Sequence, residues 1–257
     1  FDAGLWGREI TYAGMRINAS AGGRGTDVGV PRPSQALAQL GGAMRQLSGQ
    51  LDRSGLRRVS LTGARLQLIT AGADLSAARV FRDLSAELIV DGNGFSATAD
   101  AIAREGRASI ALTFQADTGV VSASINGVTP TDLGGGGPIR SGFATEAALV
   151  SRVDGQGVFQ SADLQLNVGP GLVRFARDPV RQLDSAAANI SLSSDGVISL
   201  TRAQFVAGGT VIEATATVTP PTGDGDAWPF VLSAPGAILD AADVEGPPVI
   251  ADLFAQG

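Results

Sequence analysis

The sequence contains no cysteine, no histidine and no lysine, and its single tyrosine is Tyr12. Without histidine there is no Ser-His-Asp triad, no Cys-His dyad and none of the commonest transition-metal ligand. Without lysine, Ser-Lys nucleophile chemistry is excluded too. Without cysteine there are no disulfides, and the redox compartment is not written in the chain. Arginine supplies every positive side chain, and Arg57-Arg58 is the one adjacent basic pair. With 19 basic and 25 acidic residues the net charge is -6, which lacks the basic footprint a nucleic-acid binder needs. No stretch approaches the ~18 uninterrupted apolar residues of a membrane helix. The chain opens at Phe1-Asp2-Ala3 without Met, basic leader or apolar leader core, and reads as a fragment or processed chain with no signal peptide or anchor of its own.

What is present is apolar and evenly spread. Mean hydropathy is +0.18. Charged residues make up 17%, against about 25% for an ordinary globular domain, and the 35 glycines are roughly twice the average share. The organising stretch is Val59 to Gly72. Val59 and Leu61 alternate with Ser60 and Thr62; after Gly63, Leu66 and Leu68 alternate with Arg65 and Gln67. A period of two puts the apolar side chains on one strand face. The step from Leu61 to Leu66 is odd, so Gly63-Ala64 must form a bulge or bend if that face is to stay apolar. The phrase returns at Ala162 to Leu166 and at Ser199-Leu200-Thr201, at uneven spacing, which is a recurring strand grammar and not a fixed-period solenoid.

In chain order, Arg8 to Tyr12 and Met15 to Ala19 read as weak strands. Gly22 to Val30 nearly matches a calcium β-roll nonapeptide but occurs once, with Gly29 where a large apolar residue belongs, so a glycine turn explains it. Ser34 to Arg53 reads as a helix, with Ser34 as N-cap, Leu37, Leu40, Met44, Leu47 and Leu51 on one stripe, and Gly55 as the stop. Gly41-Gly42 costs up to about 1 kcal/mol per glycine relative to alanine. The helix either packs on a sheet as ordinary core or covers an apolar groove as a lid. From 56 to 128 a meander of hairpins follows, with turns at Asp91 to Gly94 and Asp117 to Gly119. The glycine-rich stretch 129–142 divides a first β segment, 1–128 with helix 34–53, from a second, 143–257. The second holds strands at Phe143 to Val153, Gly157 to Val168, Leu172 to Ala176, Leu183 to Leu192, Val197 to Leu200, Gln204 to Ala207, Thr210 to Val218 and Trp228 to Ser233. Short helical turns are expected at Ile238 to Val244 and Val249 to Phe254. The fold class is mostly β.

Four stretches carry a family resemblance: the helix leading into Leu56 to Leu66; Ala86 to Phe95 with the later Ile125 to Pro130; Asp195 to Thr201 leading to Gly208-Gly209; and Gly246-Pro247-Pro248 with its apolar tail. Together they resemble part of an AsmA-like envelope protein, the superfamily that includes YhdP-like and TamB-like members. The resemblance implies a long curled antiparallel sheet, an open groove or partly closed barrel, with one amphipathic helix. It also implies residence in the periplasm of a double-membraned bacterium, a parent protein anchored in the inner membrane, and passage of phospholipid between the membranes. The anchor helix of that family is missing from this sequence.

The residues agree with a greasy trough. Aromatics are 5%, and the strands use Leu, Val, Ile and Ala, an aliphatic lining that suits acyl chains better than a site that must read polar groups. The expected lipid-binding wall is Val59, Leu61, Leu66, Leu68, Leu88, Val90, Ile110, Leu112, Phe114, Leu164, Leu166, Ile190, Leu192, Ile198, Leu200, Ile212 and Val218; ordinary β-core is the alternative role for each. Arg57 and Arg58 are candidates for phosphate headgroups, or simply solvated charge. The expected partners are phospholipid acyl chains and other envelope proteins. No cofactor and no metal site is expected, and Asp91 with Asn93 reads as a tight turn. Three other readings stand beside the groove: a β-scaffold for envelope assembly, an adhesin-like β-roll, and an enzyme resting on a carboxylate pair such as Asp224 with Asp226, which lies in a loop.

Overall fold

A computed structural model describes residues 9–13, 16–21, 32–70, 79–103, 106–129, 139–141, 144–175, 181–207, 210–220 and 228–235. The calcium-type glycine loop, the Asp224–Asp226 pair, the chain after residue 235 and most of the glycine-rich stretch after Thr129 lie outside them. The elements run β1 (Glu9–Ala13), β2 (Arg16–Ala21), α1 (Pro33–Ser54), β3 (Arg58–Thr70), β4 (Arg79–Val90), β5 (Gly94–Ile102), β6 (Arg107–Gln115), β7 (Val120–Val128), β8 (Ile139–Ser141), β9 (Thr145–Val153), β10 (Phe159–Val168), β11 (Gly171–Phe175), β12 (Arg181–Leu183), β13 (Ser185–Ser193), β14 (Ile198–Ala207), β15 (Thr210–Val218) and β16 (Phe230–Ser233).

Eleven strands form one long antiparallel sheet in the order β3-β4-β5-β6-β7-β9-β10-β13-β14-β15-β16. Each neighbouring pair is antiparallel; β7 pairs directly with β9 across the glycine-rich stretch, and β10 with β13 across β11 and β12. The sheet does not close: among the described residues β16 is paired with β15 alone. β1 and β2 pair in parallel with the two halves of β3 in one unbroken register, Glu9 beside Arg58 and Ala21 beside Thr70. Parallel neighbours need a crossover, and the segment carrying α1 supplies it. Strands β8, β11 and β12 form a separate three-stranded sheet.

The expected bulge is present. Gly63 has φ 62°, and the β3–β4 register shifts between Leu61 and Ala64. That extra residue restores Leu66 to the face of Val59 and Leu61. Further register shifts occur in β4–β5, β7–β9, β9–β10, β13–β14 and β14–β15. Bulges bend and twist a sheet, and this one curls toward α1. Near its start, Ser34 lies close to the β13–β14 turn at Gly196. Near its end, Leu51 packs with the group containing Val90 of β4. Laid flat, β4 to β14 would be about 34 Å wide at ~4.8 Å per strand, whereas Ser34 to Leu51 is about 26 Å of helix at 1.5 Å per residue.

Several boundaries differ from expectation for identifiable reasons. Arg32, not Ser34, is the N-cap; Pro33 occupies the first helical turn, where its missing N–H costs nothing, and no side chain caps the end. Val197–Leu200 and Gln204–Ala207 are one strand, β14, because a bulge near residue 201 carries the pairing through. Leu183 to Leu192 is instead two strands, β12 and β13, in different sheets. Gly55 ends α1 in the left-handed region at φ 69°, as expected.

Candidate functional site

The registers sort the apolar face into rows that cross the sheet. The row beneath α1 runs Val90, Phe95, Phe114, Val121, Ser151, Ala162, Leu192, Ile198, Val218 and Phe230. The next runs Val59, Leu88, Ala97, Leu112, Ala123, Leu149, Leu164, Ile190, Leu200, Ala216 and Leu232, apolar on all eleven strands. The third runs Leu61, Ala86, Ala99, Ile110, Ile125, Ala147, Leu166, Ala188, Ala203 and Ala214. Beyond it, Leu66 pairs with Phe81 and Ile212 with Phe205. Sixteen of the seventeen expected wall residues therefore share one face; for Leu68 only the backbone, paired with Arg79, is described.

On the other face a row of Ser60, Glu87, Thr98, Ala111, Ser124, Ala148, Gln165 and Asn189 is mostly polar. Arg58 is ion-paired with Glu87, and Arg57 lies 3.8 Å from Asp52. Those pairings favour the solvated-charge reading of both arginines over headgroup contact.

The rows differ in what covers them. Under α1, Phe114 is 1% exposed and packs its ring 5.9 Å from that of Phe95. Met44 and Leu51 of the helix close over this group, and Leu37 and Ala38 over Phe159, Ala162 and Leu192. A second buried group, with Ala64, Phe81, Leu84, Ala101, Ala108 and Val128, lies at the strand ends remote from α1. Between them no residue of the second row is fully buried, and in the third only Ala203 is, while Ile110 is 47% exposed. At the strand ends beyond the third row, Leu183 of β12, from the small sheet, packs with Leu166 against Val168. The result is an aliphatic trough, walled by α1 at one end and by the second buried group at the other.

Sequence reasoning missed several members. Leu149 sits in the run Ala147-Ala148-Leu149-Val150, where apolar residues on both faces hide the alternation. Ala97 and Ala123 are too small to register as a wall, although they pair with Leu88, Leu112 and Leu149 in the same row. The stripe of α1 is also rotated from expectation. Gly41 and Ser48 are buried, while Leu47 is 38% exposed. A Cβ on Gly41 would lie 2.5 Å from Cγ2 of Val153, so the glycine that weakens the helix lets it approach the sheet.

The turns at the α1 end are built by their own side chains. Asp154 Oδ1 accepts from the backbone N–H of Val158 and Gln156, each at 2.9 Å, and Oδ2 accepts from Gln160 at 3.1 Å. The Val158 bond leads in holding this carboxyl below its ordinary range. The Ser193 hydroxyl, donating to Asp195, does the same for that carboxyl. In the β4–β5 turn the Asn93 N–H donates to Asp91 Oδ1 at 3.1 Å, an ordinary side-chain turn.

No family model matches the chain, and no curated protein or solved structure matches it. No described helix is long and apolar enough to cross a membrane.

Proposed function

We propose that the trough holds the acyl chains of phospholipid, and that this chain is a segment of an AsmA-like envelope protein that passes lipid between the inner and outer membranes through the periplasm. The observation that carries the reading is the row from Val59 to Leu232, unbroken in apolar character over eleven strands yet fully buried at none of them. An ordinary core would bury such a row; each CH₂ withdrawn from water contributes about 0.8 kcal/mol. A lining with no polar interruption in its middle rows gives a hydrocarbon chain no fixed stopping point. The test is mass spectrometry of lipid extracted from the purified protein: the trough reading expects co-purifying phospholipid, and protein that emerges and stays lipid-free after incubation with phosphatidylethanolamine and phosphatidylglycerol vesicles sinks it.

A scaffold role is the second reading, favoured by β16. This edge strand exposes Phe230, Val231 and Leu232, and Val231 at 72% exposure puts an apolar side chain on the face where its neighbours are polar. Such an edge suits pairing with a strand of another envelope protein. Crosslinking to a protein partner without bound lipid would support it.

A further inference from the structure

The trough is blind where α1 lies across it. The helix rests on the sheet through a thin contact. Its buried positions are Gly41 and Ser48, both small, while the large residues Met44 and Leu51 are only partly covered. On the opposite side of the contact, Ser151 is 1% exposed and its Oγ has no hydrogen-bond partner. A buried hydroxyl left unpaired is a penalty on the arrangement that buries it. It falls in the row that α1 covers, and nothing in that row offers an acceptor.

Two features define how α1 is held. Nη2 of Arg45 donates to the carbonyl of Asp154 at 2.6 Å and reaches that of Val153 at 3.5 Å, a latch to the β9–β10 turn. The left-handed Gly55 follows the last turn, and Val90 N–H donates to Arg57 carbonyl at 2.9 Å, anchoring the chain beyond that point. Leu40 and Leu47 lie about 140° and 160° around the helix from Arg45 at 100° per residue. With Arg45 turned to the outer rim, these two leucines look along the strands into the half-exposed rows.

We infer that α1 is a gate on the trough: released at Arg45 and pivoting at Gly55, it lifts to open the row beneath it, where water reaches the Ser151 hydroxyl and a hydrocarbon chain can then lie along the neighbouring apolar side chains. This rests on the trough reading and adds its regulation. With α1 down, an acyl chain is confined to the two middle rows between the helix and the second buried group; with α1 raised, the Phe114 row joins the path.

A cysteine-free chain permits a clean lock. In Gly41→Cys/Val153→Cys the built Cβ of residue 41 lies 3.0 Å from Cβ of residue 153, close to disulfide range, and replacing Val153 removes the branched methyl groups that crowd it. Uptake of a fluorescent phospholipid from phosphatidylethanolamine and phosphatidylglycerol vesicles is compared for the oxidised and reduced forms, with hydrogen exchange of α1 and β6 amides followed in the unmodified chain. The gate expects uptake to fall by about tenfold on oxidation and return on reduction, and α1 amides to exchange about a hundredfold faster than those of β6. Ser151→Ala, which relieves the closed state, slows α1 exchange by about fivefold. Equal uptake by both redox forms, or α1 protection equal to that of β6, overturns the gate and leaves the trough standing. Absence of uptake by the reduced form and by the unmodified chain overturns the trough reading, and the gate with it.

Discussion

The row under α1 and the row beside it are written in the same alternating pattern, two residues apart on the same strands, yet they end in different environments. Phe114 is sealed while Leu112 is half-open. Phe95 meets an aromatic neighbour, and Ala97 meets Leu88 and Leu112 on the adjacent strands. The difference comes from a single element placed across the strand ends. Alternation decides which face is apolar; the helix decides which part of that face becomes core and which remains a surface that a ligand can use.

That contrast is broken most sharply by truncation. Phe114→Ala removes a sealed ring and leaves a cavity, at a cost of about 3–5 kcal/mol. Leu112→Ala, one pleat away, removes a partly buried side chain and costs less, about 2 kcal/mol. Urea midpoints of the two variants check this, and equal losses mean the middle rows are as closed as the first. Next in size is Gly41→Leu. Its side chain enters the space of Val153, so the helix must lift or the strand must shift, at about 1–3 kcal/mol. Calorimetry measures the loss, and a variant as stable as the parent denies the close approach.

Ile110→Glu tests the other half of the comparison. Ile110 is nearly half-exposed, so a carboxylate there changes stability by about 0.5 kcal/mol or less. It also puts a charge in the middle of the hydrocarbon path, and charges leave water reluctantly. Retained stability with phospholipid uptake lowered about tenfold is expected. Unchanged uptake places the lipid elsewhere.

Much of this was legible in the residues. The parity break between Leu61 and Leu66 demanded a bulge, and Gly63 supplies it. Sixteen of the seventeen wall residues fall on one face because strand geometry fixes side-chain direction locally. What was not legible is what lies over that face. Nothing in Leu37-Leu40-Met44-Leu47-Leu51 reveals that the contact is rotated onto Gly41 and Ser48, since that depends on Val153, more than a hundred residues away. The parallel addition of β1 and β2 to β3 was equally hidden, because pairing partners distant in sequence leave no periodic trace. Leu149 escaped for a local reason: its neighbour Val150 is apolar on the other face.

The smallest expected effect lies at the rim, where Asp154 sits in the turn just beyond the row that α1 covers. Its backbone carbonyl receives Arg45 from the helix, and its carboxylate organises the turn from β9 to β10 through Val158, Gln156 and Gln160. Those bonds depress its folded pKa below the 3.8 of the free group. A depressed carboxyl contributes stability that is complete above the unfolded value and disappears as pH falls through the lower folded one. Asp154→Asn should therefore be slightly less stable than the parent at neutral pH, and the gap should close below pH 3.8 as the parent protonates. Because the turn also presents the carbonyl that Arg45 grips, the same variant should speed hydrogen exchange in α1 at neutral pH and leave β5 and β6 unchanged. A gap that persists unaltered into acid, or exchange that quickens equally in strands and helix, means the turn stabilises the whole sheet and not the helix-covered rim.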